Sequence, residues 1–123
     1  MTDRTFAGRR ILLVEDEYLL ASDMAQDLAD QGALVIGPAP SVDKALALLA
    51  SADSPDGAII DVNLGGELAF PVADALLSRG VPLVFTTGYD AGILPGRFEH
   101  VPRCEKPVRL DRITRALGRL MTA

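Results

Sequence analysis

Tryptophan is absent from this chain of 123 residues, which has two tyrosines and four phenylalanines. A hydrophobic core, which a 49% hydrophobic composition allows, must therefore be built from Leu, Ile, Val and Ala. Cys104 is the single cysteine, so no internal disulfide can form, and a reduced, cytoplasmic setting is expected. Long apolar runs are also missing. The first, Ile11-Leu12-Leu13-Val14, is broken at once by Glu15 and Asp16. It is too short for a signal-peptide core or a membrane helix, so no membrane insertion is expected. Positive charge is scarce as well. Lys and Arg total 12 against 17 Asp and Glu, a net charge of -5, which argues against direct contact with a nucleic-acid backbone. There is no repeat, low-complexity tract or interdomain linker, and one domain over residues 1–123 is expected.

What is present is an alternation of short apolar runs and helical stripes. Ile11 to Val14, with no polar residue, has the pattern of a strand buried on both faces. From Glu17 to Gln31, Leu20, Met24 and Leu28 recur every four residues, with Ala21 and Ala25 beside them. Gly32 fits the stop of that helix. Ala33 to Ile36 is a second strand, closed by Gly37-Pro38. Ser41 is placed to cap a helix striped by Val42, Ala45, Leu46 and Leu49. Gly57 to Ile60 is a third strand, ending at Asp61, and Gly65-Gly66 leads to a helix with Pro71 in its first turn. Val81 to Thr87 is strand four, and Val101 to Glu105 makes a poor fifth strand. A last helix carries Leu110, Ile113, Leu117 and Leu120. Between strands four and five, Ala91-Gly92 and Pro95-Gly96 place two breakers in six residues, so the fourth helix is expected to be short or irregular. Wholly apolar strands alternating with helices imply an α/β fold, a flavodoxin-like doubly wound parallel sheet of five strands in the order 2-1-3-4-5.

In such a sheet, sites form at the carboxyl ends of the strands. Strand one ends in Glu15-Asp16, strand three in Asp61, strand four in Thr86-Thr87-Gly88, and strand five in Glu105-Lys106-Pro107. Taken singly, each has an ordinary explanation: Asp16 as a helix cap, Asp61 as a turn residue, a threonine as a strand former, Lys106 as solvated surface. Together they bring three carboxylates, a hydroxyl and one amine to one end of the sheet. Crowded carboxylates invite a cation, and an all-oxygen set with room for water suits Mg²⁺. A lysine and a hydroxyl suit an anion bound to that cation, namely a phosphoryl group, with an Asp carboxylate as nucleophile. Strand alternation does not choose between Thr86 and Thr87.

The segments "LLVEDE", "AIIDVNL", "LVFTTGY" and "CEKPV" together make the chain resemble the receiver domain of two-component response regulators, from Arg10 to about Leu120. The resemblance implies Asp61 as phospho-acceptor, Asp16 as a direct Mg²⁺ ligand, Glu15 as a ligand through water, and the Asn63 backbone carbonyl as a further ligand. It implies Lys106 as the phosphoryl's partner, with a cis Lys106-Pro107 peptide, and Thr87 as the switch hydroxyl, because a small residue, Gly88, follows it. It also implies a histidine kinase or phosphotransfer protein as donor and a downstream protein as recipient. One position departs from many receivers: Arg103 stands where they have an aromatic, and a guanidinium is not expected to bury there. "PLVFTTGYD" is similar to the signature of the FATGUY subgroup, small receivers that also lack the aromatic and are associated with general stress and HWE-type histidine kinases in alphaproteobacteria.

An Asp-nucleophile phosphatase commonly has Asp-x-Asp after its first strand; here Asn63 stands two after Asp61, after the third strand, and no cap domain is available. A flavodoxin needs a phosphate-binding loop after strand one, where Glu15 and Asp16 would repel the group. A docking module that is never phosphorylated would not need the full acid, hydroxyl and lysine set. With no further segment after the last helix, a stand-alone receiver acting through protein contact, or as a phosphate sink or relay, is expected. His100, the only histidine, is not expected to relay phosphate. Cys104 is expected to be a small apolar residue of strand five, and Arg109, Arg112, Arg115 and Arg119 a solvated face.

Overall fold

A computed structural model of the chain describes residues 6–51, 54–88 and 94–122. In chain order its elements are β1 (Arg10–Val14), α1 (Tyr18–Asp30), β2 (Leu34–Ala39), α2 (Val42–Ser51), β3 (Gly57–Asp61), β4 (Asn63–Leu64), β5 (Glu67–Leu68), α3 (Phe70–Ser78), β6 (Leu83–Thr87), β7 (Arg103–Glu105) and α4 (Leu110–Thr122). Five of the strands form one parallel sheet in the order β2-β1-β3-β6-β7. Counting only these strands, that is the expected order 2-1-3-4-5. β4 and β5 are an antiparallel hairpin in what the sequence reads as a loop.

The apolar strands are buried on both sides by two helical layers. Leu12, Val14, Ala58, Ile60, Leu83 and Phe85 pack with α2 and α3. Their neighbours Ile11, Leu13, Ile59 and Val84 pack with α1 and α4. The last helix shows how its sequence places it. Ile113 and Leu117 are fully buried, while Arg109, Arg112, Arg115 and Arg119 are exposed. Burying each such Leu or Ile contributes about 1.5–3 kcal/mol relative to leaving it in water, far more than the exposed Arg115–Asp111 ion pair on the same helix.

Two strands start later than expected, at Leu83 rather than Val81 and at Arg103 rather than Val101. In each case a proline, Pro82 or Pro102, stands just before the strand and has no N–H for the ladder, although its carbonyl still accepts a bond, from Ala58 and Phe85 respectively. α2 is capped as expected, the Lys44 N–H donating to Ser41 Oγ at 3.2 Å. Pro71 lies in the first turn of α3.

The expected weak fourth helix falls partly on residues 89–93, outside the described residues. From 94 to 102 there is a single 3-10 turn, Gly96–Phe98. Phe98 anchors it, fully buried, with its ring 5.4 Å from both Phe70 (stacked) and Phe85 (edge-on). Arg97 ties the turn to α3 through two hydrogen bonds to Asp74 at 2.9 and 3.1 Å. Arg103 is exposed on β7, in keeping with the cost of burying a guanidinium.

Candidate functional site

The carboxyl end of the sheet gathers the residues that the sequence singles out. Backbone hydrogen bonds continue past the strand ends and fix them there. The Glu15 N–H donates to the Ala39 carbonyl at 3.0 Å, Val62 to Thr86 at 3.0 Å, and Lys106 to Thr87 at 2.7 Å. Ligand oxygens of Glu15, Asp16 and Asp61 lie within 4.8 Å of one another. A cavity of about 330 Å³ opens in front of them, with Asp16, Asp61, Asn63, Thr87 and Lys106 in its wall. Asp16 is exposed and is not a helix cap; that position belongs to Glu17, which makes no side-chain capping bond.

Lys106 is the counter-charge. Its Nζ donates to Asp61 Oδ2 at 2.8 Å and lies 3.7 Å from Glu15 Oε2 and 3.5 Å from Glu17 Oε1. Burial alone would lower its pKa, but the Asp61 hydrogen bond and the charges of Asp61, Glu15 and Glu17 outweigh burial and hold it above the usual lysine value. Asp61 Oδ1 accepts from the Asn63 N–H at 3.1 Å. Asn63 Oδ1 accepts from the Gly66 N–H and so shapes the turn beneath the cavity. Gly65 in that turn has φ +63°, and a Cβ there would come within 3.3 Å of Asp16 Oδ2.

Among the described residues, three buried side-chain oxygens lack a hydrogen-bond partner: Glu15 Oε1, Thr86 Oγ1 and Thr87 Oγ1. Glu15 and Asp61 are both 2% exposed. A hard cation among the Glu15, Asp16 and Asp61 carboxylates, open to water on the Asp16 side, would satisfy Glu15 Oε1, so these residues fit Mg²⁺. Without a cation, burial pushes the Glu15 carboxyl up to about 7; the Asp61 charge adds to the shift, while the Glu17 N–H and Lys106 oppose it.

This shift has a testable sign. Between its ordinary 4.5 and about 7 the folded Glu15 holds a proton that the unfolded chain has lost. Its stabilising contribution is therefore fully present below 4.5 and fades as pH rises to about 7. In chelator, melting temperature is expected to fall across that window more steeply than in Glu15→Gln. Mg²⁺ is expected to raise it more at alkaline than at acidic pH. Equal Mg²⁺ stabilisation on both sides of the window would contradict this assignment.

The acid triad, Thr87 and Lys106 thus come together as the sequence implies, and the Lys106-Pro107 peptide is cis. Glu17 is an addition that sequence reading missed. Its signal was the third acid of "EDE", read there only as the start of a helix.

No protein-family model matches the chain. Solved structures do, over nearly the whole length. A response regulator receiver protein from Sinorhizobium medicae WSM419 is 26% identical, with a TM-score of 0.77, 94% of this chain and 95% of that one being covered. SdrG from Sphingomonas melonis Fr1 is 36% identical, covering 94% of this chain and 97% of that one, with a TM-score of 0.69. The chain belongs to the response regulator receiver family. The receiver is also 32% identical over 82 residues to the transcriptional regulatory protein PdtaR of Mycobacterium tuberculosis. That match takes in 66% of this chain, which spans 40% of the length of that curated relative. Receivers serve two-component signalling. Among the described residues, no helix of this receiver is long and apolar enough to cross a membrane.

Within the receiver, the two threonines part company. Thr87 lies in the cavity wall with Asp61 and Lys106. Alternation along β6 sends Thr86 to the other side of the sheet, the side of Val84 and α4. Its hydroxyl is fully buried and unpartnered, so Thr86→Val is expected to stabilise the fold by about 1 kcal/mol. Chemical denaturation checks this; a loss of stability would show that the hydroxyl has a partner, such as water.

Proposed function

We propose that this receiver takes a phosphoryl group on Asp61 from a histidine kinase or phosphotransfer protein, with Mg²⁺ assistance. The observation that carries the reading is Asp61 itself, held 2.8 Å from Lys106 Nζ in the wall of an open cavity, with Glu15 and Asp16 oxygens within 4.8 Å. An Asp61 carboxylate oxygen attacks the phosphorus of a phosphoimidazole. The O–P bond forms, the P–N bond breaks, and the imidazole leaves. Lys106 exchanges Asp61 for a phosphoryl oxygen, and the unpartnered Thr87 hydroxyl donates to another. Asp16, Asp61, the Asn63 carbonyl and, through water, Glu15 would hold Mg²⁺, which when bound supplies positive charge against the phosphoryl oxygens.

Capture of the Thr87 hydroxyl and Lys106 by the acyl phosphate biases the face between them toward a protein partner or onward relay. Arg103, exposed where many receivers have an aromatic, supports placement in the FATGUY subgroup and an output that does not use an inward-turning ring at that position. Incubation with acetyl phosphate and Mg²⁺ tests the core of the reading. A gain of one phosphoryl in intact mass supports it; no gain, together with no spectral response to beryllofluoride, would overturn it. Phosphotransfer profiling against candidate kinases then identifies the donor.

A further inference from the structure

Positive charge is unevenly spread along the chain. Six of the 12 Lys and Arg lie between Arg103 and Arg119, against two of the 17 Asp and Glu. Three of the six, Arg103, Arg109 and Arg112, meet at a cavity of about 390 Å³ beside β7 and the start of α4, which Cys104, Glu105 and Pro107 complete. This cavity shares no lining residue with the one in front of Asp61.

Glu105 is the one acid in its wall. Arg109 is drawn to Asp111 at 3.5 Å, outside the cavity lining. Among the described residues, Arg103 and Arg112 make no ion pair, and both are exposed. The thiol between them adds no negative charge, because burial pushes Cys104 up and the Arg112 charge only partly offsets it. The cavity is thus positive on a chain that is negative as a whole, with two guanidiniums open to carboxylates.

The backbone beside the cavity narrows the occupant's shape. β7 is the last strand of the sheet. The Pro102 carbonyl accepts from Phe85 and the Lys106 N–H donates to Thr87, so residues 102, 104 and 106 turn their backbone groups toward β6. Arg103 and Glu105 turn theirs to the open side. An extended segment can use these groups, while Pro102 and Pro107 keep the edge too short for strand pairing alone to hold it. The arginines must then supply most of the recognition. A nucleic-acid backbone suits this edge poorly, because its close-set phosphates would meet Glu105 and Asp111. A peptide can place acids against Arg103 and Arg112 and a neutral residue against Glu105. A second copy offers exposed Asp23 and Asp30 on α1, a helix whose backbone groups are already paired.

We propose that the β7 edge and the arginines beside it dock an extended, acidic segment of a partner protein. The contact is measured on the unphosphorylated chain, so its test stands apart from the phospho-acceptor reading. The probes are a synthetic peptide alternating Asp or Glu with Val and Ser, and its counterpart with Asn and Gln in place of the acids. Amide chemical shifts of the full chain report the binding. The acidic peptide is expected to give saturable shifts centred on β7 and the first turns of α4, weakening as salt rises, and the amide peptide none. Arg103→Glu and Arg112→Glu are each expected to weaken binding by on the order of tenfold or more, with melting temperature unchanged because both positions are exposed. Arg119→Glu makes the same change in net charge outside the cavity and is expected to weaken binding by less than about twofold. The proposal is overturned by failure of the acidic peptide to bind, equal binding of both peptides, shifts centred elsewhere, or an Arg119→Glu effect as large as the other two. Tighter binding of a single-stranded DNA oligonucleotide at the same residues would make nucleic acid the partner and overturn it. Self-association in sedimentation velocity that Arg112→Glu removes would overturn it as well, making a second copy the occupant.

Discussion

Lys106→Met is expected to lose on the order of 3 kcal/mol of stability in chelator near neutral pH, and to recover most of it when Mg²⁺ is added. Lys106 lies within 4 Å of three carboxylates: 2.8 Å from Asp61, 3.5 Å from Glu17 and 3.7 Å from Glu15. Asp61 and Glu15 are both almost wholly buried. Removing one member of a buried pair leaves the other desolvated and unpaired, which typically costs about 3–5 kcal/mol. The lower end applies here, because the Lys106 side chain is itself 23% exposed and water reaches it. Proton uptake by Glu15 offers a further escape, so the loss is expected to grow as pH rises. Mg²⁺ replaces the missing positive charge, although it does not replace the lysine's contact with a phosphoryl oxygen. Denaturant titrations with and without Mg²⁺ check both halves. A variant as stable as the parent in chelator would make Lys106 an ordinary solvated cation.

Asp61→Asn is expected to reduce phosphoryl uptake by at least about 100-fold, to below detection in intact mass, since a neutral amide is a far poorer nucleophile than a carboxylate. The substitution should leave the fold intact, because Asn keeps the shape and can still accept the Asn63 N–H bond that Asp61 Oδ1 now receives. It also removes a charge that helps to hold Glu15 protonated. The pH window in which chelated protein loses stability is therefore expected to move below that of the parent. Uptake undiminished in Asp61→Asn would mean that another carboxylate is the acceptor. An unshifted window would mean that burial alone sets the Glu15 proton.

The strand ends were legible because every central strand stops at a chemical group, only edge strand two ending in Gly37-Pro38, and a parallel sheet brings such stops to one edge. Ile11–Val14 before Glu15-Asp16 and Gly57–Ile60 before Asp61 are the clearest cases. Thr86 and Thr87 were not separable by alternation alone, since both hydroxyls are buried and only the position of the cavity distinguishes them. The Asn63–Leu64 and Glu67–Leu68 hairpin left no readable signal, because strands of two residues have no period. Its purpose shows only in three dimensions, where Glu67 Oε1 accepts the Val42 N–H at the start of α2. Pro82 and Pro102 shortened two strands for a reason that was in the sequence, the missing N–H. Glu17 joined the site through Lys106, a contact between residues far apart in sequence.

The ladder bonds beyond the strand ends, from Glu15 to Ala39, Val62 to Thr86 and Lys106 to Thr87, have a practical consequence. The amide protons of Glu15, Val62 and Lys106 belong energetically to the sheet, although they sit among the residues proposed for the chemistry. Hydrogen exchange at these positions therefore reports how firmly the sheet holds the site, with no label attached and no side chain altered. Slow exchange there marks rigid positioning, so any movement that carries a signal has to arise outside these ladder bonds.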